Sequence, residues 1–450
     1  MLPVRLAGAY GATAIVTLFA AVLAAPPALA GGLMLYEVGT ADVGLASAGY
    51  GARAQDASTV FTNPAGMTRL PGTQFLAGGQ LLWSNAKFSI GSGNSPELGT
   101  NDGGRAAGWD GWVPGGGAFL SYSLSPQIKL GVALAGNFGS ALKYDNDWVG
   151  RYYVQETALI GMSILPSIAY KVNDKLSLGA SLNAMYGYYK NQVAINIPDA
   201  LRPGVVIPIQ RAAGDAQLKM KDETWGWGAN LGLLYELDKN TRFGFTWTSQ
   251  VDLDFSAKAK FSNLGPIGTN LQNAGLLGST ISIDIKVPQT AMGSFFTQLD
   301  DRWALLGSVG WQEWSKFGQV QLGTDNPLNP TSLKTNLDFK DTWHVALGAQ
   351  YRWSQPWLLN LGVAYDSAFQ SGDVSPLLPV NAGWRFGVGA QNELSKTSHW
   401  GFALEYLYGG TLDTDLRSTL PVAAGGRGNL VGSYDSISTV IASVYGSWQF

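Results

Sequence analysis

Cysteine is absent from the 450-residue sequence, which excludes a disulfide scaffold, a thiolate metal site and a cysteine nucleophile. Charge is scarce: only 14% of the residues are charged and the formal net charge is −3, which gives no reason to expect nucleic acid as a partner. Histidine occurs only as His344 and His399, and no Ser/His/Asp arrangement surrounds His344. We therefore expect no catalytic residue, no metal and no cofactor, and a hydrolase is disfavoured.

Long hydrophobic runs occur only at the start of the chain. Arg5 precedes an apolar stretch, two prolines follow it, and Ala28 and Ala30 match the small-x-small pattern of a cleavage site. We predict a signal peptide over residues 1–30; the alternative is a retained membrane anchor, because roughly 20 apolar residues can span a bilayer. Export with no later helical span leaves a soluble periplasmic protein, a secreted protein or an outer-membrane barrel.

The chain shows instead an alternation of apolar and polar side chains with a period of two residues. Apolar side chains take one face of the segment 242–255, and polar ones take the other; the apolar row is Phe243, Phe245, Trp247, Val251, Leu253 and Phe255. Such alternation is typical of a membrane barrel strand, with lipid on one side and the lumen on the other. A soluble β-sandwich also alternates, but the segments here often exceed ten residues, longer than ordinary strands.

The connections alternate in length along the chain. Six are tight turns, near 124–126, 173–174, 237–240, 299–301, 354–356 and 394–396. Seven are long, near 91–111, 140–158, 191–222, 256–279, 318–336, 367–381 and 410–433. Thirteen connections predict fourteen strands, the last of which ends at Phe450, and short periplasmic turns with long external loops are typical of outer-membrane proteins. We predict an all-β, fourteen-stranded antiparallel transmembrane β-barrel.

Five segments resemble the FadL family of outer-membrane transporters for long-chain fatty acids and other hydrophobic compounds: NPA at 63–65, GNFG at 136–139, WGWGANLGLLYELDKNTRFGFTWTSQVDLDF at 225–255, WQEWSKF at 311–317 and FKDTWHVALG at 339–348. The resemblance covers the mature chain. It implies a monomer in the outer membrane of a Gram-negative bacterium, in contact with lipid, that carries hydrophobic small molecules. It also implies an N-terminal hatch inside the barrel, here residues 31–72, followed by the barrel at 73–450.

The resemblance places the turn Asn63, Pro64 and Ala65 in the hatch. Pro64 fixes its own φ and removes a hydrogen-bond donor, so we expect a rigid turn that acts as a latch or a hinge end. Small residues with scattered Asp42, Arg53, Gln55 and Asp56 suit a crowded polar lumen. The alternative is a flexible leader related to export.

In the family, a kink in the third strand opens a lateral gap through which the ligand leaves for the membrane. The residues here that resemble the kink are Gly136, Asn137, Phe138 and Gly139, and paired glycines within a strand favour a bulge. The alternative is that this segment is only the end of a strand before a loop.

A ligand carboxylate would need a cation in the lumen. Alternation places Lys316, Arg352 and Arg385 on the inward face, with Arg385 the foremost candidate; the alternative is that these cations are solvated or paired with Glu236 or Glu405. The family resemblance places Asp341 near the pocket. We expect the apolar path to be lined by Phe61, Phe138 and Trp314, and apolar external loops near 191–222 and 256–279 to capture ligand, unless they only pack on one another.

Other functions remain open. The same route could take up aromatic hydrocarbons, in which case the cations have no partner. A general diffusive porin would need no hatch, and an adhesin or a purely structural barrel would show no uptake.

Overall fold

The computed structural model describes residues 33–104, 106, 111–196, 215–264, 269, 273, 280–317, 319–324, 332–336, 339–370 and 372–450. The predicted signal peptide, residues 1–30, lies outside these ranges and stays a prediction. No helix within the described ranges is long and apolar enough to cross a bilayer.

Fourteen antiparallel strands form a single closed barrel, which confirms the predicted fold. The last strand pairs with the first from Gln74↔Gln449 to Asn85↔Ser438, so the cylinder has no open edge there. The strands are β1 (Gln74–Asn85), β2 (Trp112–Ser123), β3 (Ile128–Lys143), β4 (Glu156–Lys171), β5 (Leu176–Ile195), β6 (Ala216–Glu236), β7 (Thr241–Thr248), β8 (Thr290–Gln298), β9 (Trp303–Gln312), β10 (Thr342–Ser354), β11 (Trp357–Asp366), β12 (Gly383–Ser395), β13 (Ser398–Leu416) and β14 (Leu430–Gln449).

The outer face of the barrel is apolar and the inner face is mixed. On β7, Phe243 and Phe245 lie on the surface, whereas Arg242 and Thr246, which flank this pair, are buried. Large apolar side chains cover the outside of the neighbouring strands in the same way, among them Leu231, Leu233, Val309, Trp343, Val345, Leu347, Leu361, Phe386, Val388, Phe402 and Leu404. This is the lipid-facing band that the alternation predicts.

Further short elements lie in the long connections, beyond the ends of the barrel strands. Segments Phe88–Ile90 and Lys260–Ser262 extend the barrel sheet, and a second sheet joins four segments: Val251–Lys258, Thr280–Val287, Gln319–Thr324 and Ser332–Asn336. The helix α3 spans Trp314–Phe317, and short 3-10 turns span Pro96–Leu98 and Val422–Ala424.

The prediction of one continuous strand from 242 to 255 is wrong. The chain leaves the wall at Ser249, whose backbone N–H still donates to the Ala229 carbonyl at 2.9 Å, and a new strand begins at Val251. The apolar row therefore changes role: Phe245 faces outward, whereas Val251 and Phe255 are buried over the barrel mouth. Alternation has the same period in both places, so it cannot tell a lipid-facing row from a buried one.

The six predicted turns occur where they were expected, and three share one local chemistry. The side-chain oxygens of Asn173, Asp238 and Asp300 each accept two backbone N–H groups two and three residues further on, at 2.7 to 2.9 Å. Such Asx turns close a hairpin without help from the rest of the fold. Two of the predicted long loops, 140–158 and 191–222, begin too early, because β3 continues to Lys143 and β5 to Ile195.

The N-terminal residues 33–70 form a hatch that lies inside the barrel. It contains two one-turn helices, α1 (Asp42–Leu45) and α2 (Thr59–Thr62), and a 3-10 turn at Pro64–Arg69. Nearly all of its side chains are buried, polar ones included.

Glycines on the inner wall support the hatch backbone. A Cβ built on Gly387 of β12 would lie 2.6 Å from the Val43 carbonyl oxygen and 2.9 Å from the Ala46 nitrogen, both in the hatch. The same kind of overlap occurs around the barrel, at Gly78 with Gly39, Gly179 with Ala65, Gly232 with Asn63, Gly244 with Gly51 and Gly362 with Leu45. We call these six wall residues the glycine seat. Each lacks a side chain where the hatch backbone approaches the wall.

The external loops have a core of their own. Tyr144 and Trp148 stack with ring centroids 3.9 Å apart, and Tyr144 bonds Tyr434 at 2.7 Å. Buried beside them, the Arg151 guanidinium donates to Asp215 at 2.8 Å. We call this cluster the loop core; it joins residues from the connections after β1, β3, β11 and β13.

Candidate transport pathway

The barrel wall is interrupted between β2 and β3. Their ladder ends at Gly117↔Ala135, although β2 continues to Trp112 paired with β1 and β3 continues to Lys143 paired with β4. The upper part of β3 therefore has one edge that β2 does not cover.

The four predicted kink residues lie at the start of this uncovered edge. The register of β3 against β4 shifts between Gly136 and Phe138, which leaves Asn137 as the extra residue of a β-bulge. A Cβ at Gly136 would meet nothing within 4 Å, and Gly139 has a φ of +133°. The segment is thus a bulge inside a strand rather than the strand's end, while a passage for ligand at this place stays a prediction.

The start of the hatch pairs, from inside the barrel, with the edge of β3 that β2 leaves free. The Leu35 N–H donates to the Asn137 carbonyl at 3.0 Å, and the Gly139 N–H donates to the Leu33 carbonyl at 2.6 Å. Met34 and Phe138 form the bridge between these two bonds. Leu33–Leu35 therefore acts as a short extra strand on the kink, held by two backbone hydrogen bonds.

An apolar cavity of about 110 Å³ lies beside this contact. Aromatic and aliphatic side chains supply much of its lining: Leu33, Met34, Leu142, Trp314, Phe369 and Val380. The Trp314 ring is stacked with Phe138, with ring centroids 6.4 Å apart, and lies tilted against Phe369 at 5.1 Å. Two of the residues expected to line the apolar path, Phe138 and Trp314, are thus brought together at the kink.

Polar contacts fix the turn that carries Trp314. The Asp341 carboxylate accepts the Ser315 N–H at 3.1 Å, and the Trp314 indole N–H donates to the Gln312 side-chain oxygen. Asp341 therefore supports α3 at one wall of the cavity. Lys316 lies on α3 rather than on a strand, is half-buried, and makes no ion pair within the described part of the chain.

Arg385 faces the lumen as predicted and lines the cavity, but carboxylates surround it. Its Nε donates to Asp366 at 2.5 Å, and its Nη1 lies 3.0 Å from Glu37 and 3.3 Å from Glu405. Asp366 in turn bonds His344 Nδ1 at 2.7 Å. Pairing with Glu405 was the alternative that the sequence left open, and Glu37, from the hatch, was not foreseen.

The two remaining candidates lie away from the cavity. Arg352 is near the periplasmic end of β10, half-buried and paired with Glu393 at 2.6 Å. Phe61 lies on α2 in the hatch, 6.3 Å from the Phe119 ring. Neither shares the surroundings of Trp314.

Asn63 connects the hatch to the wall. Its side-chain amide donates to the Gly51 carbonyl at 2.7 Å within the hatch and to the Leu233 carbonyl of β6 at 3.0 Å. Its oxygen accepts the Ala65 N–H at 3.1 Å, and Pro64 takes the first position of the 3-10 turn, where no donor is needed. This geometry suits the predicted latch, although its role in gating stays a prediction.

Buried charges in the hatch form ion pairs with one another. Arg53 donates to Asp42 at 3.1 Å and to Asp56 at 2.7 Å, all three fully buried. Burial by itself raises the pKa of Asp56, but the charge of Arg53 and hydrogen bonds from Arg53 and Ser58 outweigh it and lower this pKa to about 2. Gln55 bonds Gln350 on β10 at 2.7 Å.

Sequence reasoning missed the glycine seat and Glu37. The glycines of the glycine seat occupy strand positions that face the lumen. A search for glycine among the lumen-facing positions would have found them. Glu37 gives no local signal, because its partner is 348 residues away.

A closed fourteen-stranded barrel with an apolar outer face, its own N-terminal hatch and an aromatic cavity at a break in the wall defines a class: outer-membrane channels for hydrophobic compounds. The family model described as "Outer membrane protein transport protein (OMPP1/FadL/TodX)" matches residues 21–445, and the chain belongs to this family. Its members are non-enzymatic channels of the Gram-negative outer membrane that transport hydrophobic compounds.

Curated relatives resemble the chain over most of their length. A long-chain fatty acid transport protein of Escherichia coli O6:H1 is 27% identical over 370 residues, covering 78% of this chain and 80% of the relative. Outer membrane protein P1 of Haemophilus influenzae is 28% identical over 422 residues, covering 87% and 88%.

Solved structures show the same fold. A FadL homologue of Pseudomonas aeruginosa superposes with a TM-score of 0.79 at 22% identity, covering 93% of this chain and 100% of the other. The toluene transporter TodX of Pseudomonas putida superposes with a TM-score of 0.62 at 16% identity, covering 91% and 99%.

Proposed function

We propose that the chain carries long-chain fatty acids into the outer membrane by gated passive diffusion. The ligand is captured by apolar external loops, enters the cavity beside Trp314, and leaves sideways between β2 and β3 once Leu33–Leu35 has moved. The predicted capture loops lie largely outside the described residues. One chain is sufficient, because the cavity, the hatch and the wall interruption lie in a single barrel.

One observation carries the proposal: the segment that covers the wall interruption also lines the apolar cavity. Met34 bridges Phe138 at the kink and contributes to the lining beside Trp314. A ligand that needs the space of Met34 would therefore also release the edge of β3. Two backbone hydrogen bonds hold this segment on the kink, each worth about 1 kcal/mol net, so a bound ligand can displace it.

The choice of fatty acid rests on the curated relatives and on Lys316. Relatives that are 27–28% identical carry the name long-chain fatty acid transport protein. Lys316 follows Trp314 on α3 and has no carboxylate partner within the described residues, whereas Arg385 is already surrounded by three. We therefore propose Lys316 for the ligand carboxylate, and Arg385 as a second contact once Glu37 has moved with the hatch. An aromatic hydrocarbon would use the same route without either cation.

The proposal is tested with a disulfide bond that reversibly locks the hatch to the kink. The pattern of the two hydrogen bonds makes Met34↔Phe138 a non-hydrogen-bonded antiparallel pair, for which a Cα separation of about 4.5 Å is usual, within the range of a disulfide. Because the chain has no cysteine, the double variant Met34→Cys/Phe138→Cys can form only this bridge. We expect the oxidised variant to lose uptake of labelled oleate and a reductant to restore it.

Each single variant, with and without oxidant, controls for loss of the Phe138 ring and for the oxidant itself. Equal uptake by the oxidised and reduced double variant would show that the segment does not move during transport. A diffusive porin is tested separately by planar-bilayer recording, since a large constant conductance in the wild-type protein contradicts a closed hatch.

A further inference from the structure

A second, smaller cavity lies between the hatch and the wall. Its volume is about 40 Å³, and Met34, Leu35 and Phe61 of the hatch line one side. The opposite side carries three asparagines on neighbouring parts of the wall: Asn137 at the kink of β3, Asn183 on β5 and Asn230 on β6. We call this cavity the amide chamber.

The three asparagines are buried, and their side-chain oxygens have no hydrogen-bond partner among the described residues. Asn137 is 9% exposed, Asn183 2% and Asn230 5%. The Oδ1 atom of each makes no hydrogen bond to any part of the chain that the structure describes. Buried polar groups are paired in the great majority of cases, because an unpaired one costs about 1–3 kcal/mol. Three unpaired amide oxygens among the residues that line one cavity indicate a site that a bound group completes.

The lining of the amide chamber carries no formal charge. Besides the asparagines, its polar members are hydroxyl groups, of Tyr36, Tyr50, Thr246, Thr248, Ser249 and Thr290. Since no lysine, arginine or histidine is among the described residues that line it, a carboxylate would enter without a counter-charge. The unpaired amide oxygens accept hydrogen bonds, so they suit a group that donates one, such as a hydroxyl or a neutral carboxylic acid.

The size and position of the chamber fit a head group. A cavity of about 40 Å³ holds two or three water-sized groups but no hydrocarbon chain. Met34 lines both cavities, so the amide chamber and the apolar cavity adjoin at this residue. When Met34 moves, a single ligand can place its chain beside Trp314 and its polar end among the amides.

We infer that the amide chamber is a subsite for an uncharged oxygen-bearing group, a hydroxyl or a protonated carboxyl, on the transported molecule. This inference deepens the proposed function and rests on it. The site selects neutral amphiphiles over plain hydrocarbons, and it lies beside the kink where the ligand is expected to leave.

The test compares dodecan-1-ol with dodecane, two probes that differ in one hydroxyl group. Binding is measured with the full-length protein in lipid nanodiscs, by competition against radiolabelled dodecan-1-ol. We expect the wild-type protein to bind the alcohol at least about tenfold more tightly than the alkane. Asn183→Leu and Asn230→Leu should each reduce alcohol affinity about fivefold and leave alkane affinity unchanged, since each removes one hydrogen-bonding partner.

Ser443→Val is the matched control, because the Ser443 hydroxyl is also buried and unpaired but lies on β14 outside both cavities. Asn183→Ser and Asn230→Ser keep a polar group and replace the leucine variants if those fail to fold. Equal affinity of the wild-type protein for alcohol and alkane, or equal losses for both probes in the variants, would overturn the inference and leave a chamber that holds only water. If the wild-type protein binds neither probe nor oleate, the proposed function itself fails.

Discussion

Replacing Gly387 with alanine should loosen the hatch from the wall. The added Cβ would lie 2.6 Å from the Val43 carbonyl oxygen, whereas ordinary van der Waals contact begins near 3.4 Å, so α1 must move by about 0.8 Å. The colliding atoms are backbone on both sides, and no side chain can rotate away. Overpacking of this kind costs about 1–3 kcal/mol, and a Gly387→Val variant should cost more.

The loss in stability of the closed hatch can be measured from the reactivity of a buried cysteine introduced into it. Ala57 is fully buried in the hatch and the natural chain has no cysteine, so Ala57→Cys adds a single thiol that a maleimide reaches only when the hatch opens. If the closed state loses about 2 kcal/mol, the labelling rate should rise about 30-fold. Labelling is followed by mass spectrometry in the Ala57→Cys background, with and without Gly387→Ala.

Gly293→Ala is the matched control for this experiment. Gly293 lies on β8, and a Cβ there would meet nothing within 4 Å, so the labelling rate should stay within about twofold of the parent. The reasoning is refuted if Gly387→Ala labels at the parent rate, or if both glycine variants accelerate labelling equally.

Three further outcomes are expected. Asn63→Ala removes the bonds to the Gly51 and Leu233 carbonyls and should accelerate labelling of the same reporter about tenfold; an unchanged rate would show that these bonds do not hold the hatch. Because the folded pKa of Asp56, about 2, is below the unfolded value of about 3.9, its stabilisation of about 2–3 kcal/mol is complete above pH 4 and is lost as the pH falls toward 2. Pepsin should therefore cleave the hatch faster across that interval, relative to an unfolded substrate, and a pH-independent relative rate would contradict the pairing with Arg53. Lys316→Gln should weaken oleate binding about tenfold and leave toluene binding unchanged, with the exposed Lys340→Gln as control; equal effects on both ligands would exclude a charge contact.

Local chemistry explains what the sequence could predict. The hairpin at Asp238 forms from four neighbouring residues, so its position can be read without knowledge of the rest of the fold. The strand count follows from such turns. The alternation of side chains along a strand predicts that Arg385 faces inward. The same alternation predicts the lipid-facing side chains of β7 as far as Phe245.

Long-range contacts explain what the sequence could not predict. Glu37 meets Arg385 only because the hatch crosses the lumen, and nothing near either residue records that path. Lys316 was expected on a strand, but it lies on α3, whose Ser315 N–H donates to Asp341, 26 residues further along the chain. The partners of the seat glycines likewise depend on where the hatch backbone rests, which only the closed barrel decides.

The loop core has a consequence for how other molecules meet this protein from outside the cell. Tyr144 and Trp148 come from the connection after β3 and Tyr434 from the start of β14; these segments are far apart in the chain but interlock into one layer above the membrane. An antibody or a bacteriophage that binds this layer would contact several loops at once. We expect such recognition to disappear when the protein is denatured, and isolated loop peptides to compete poorly for it.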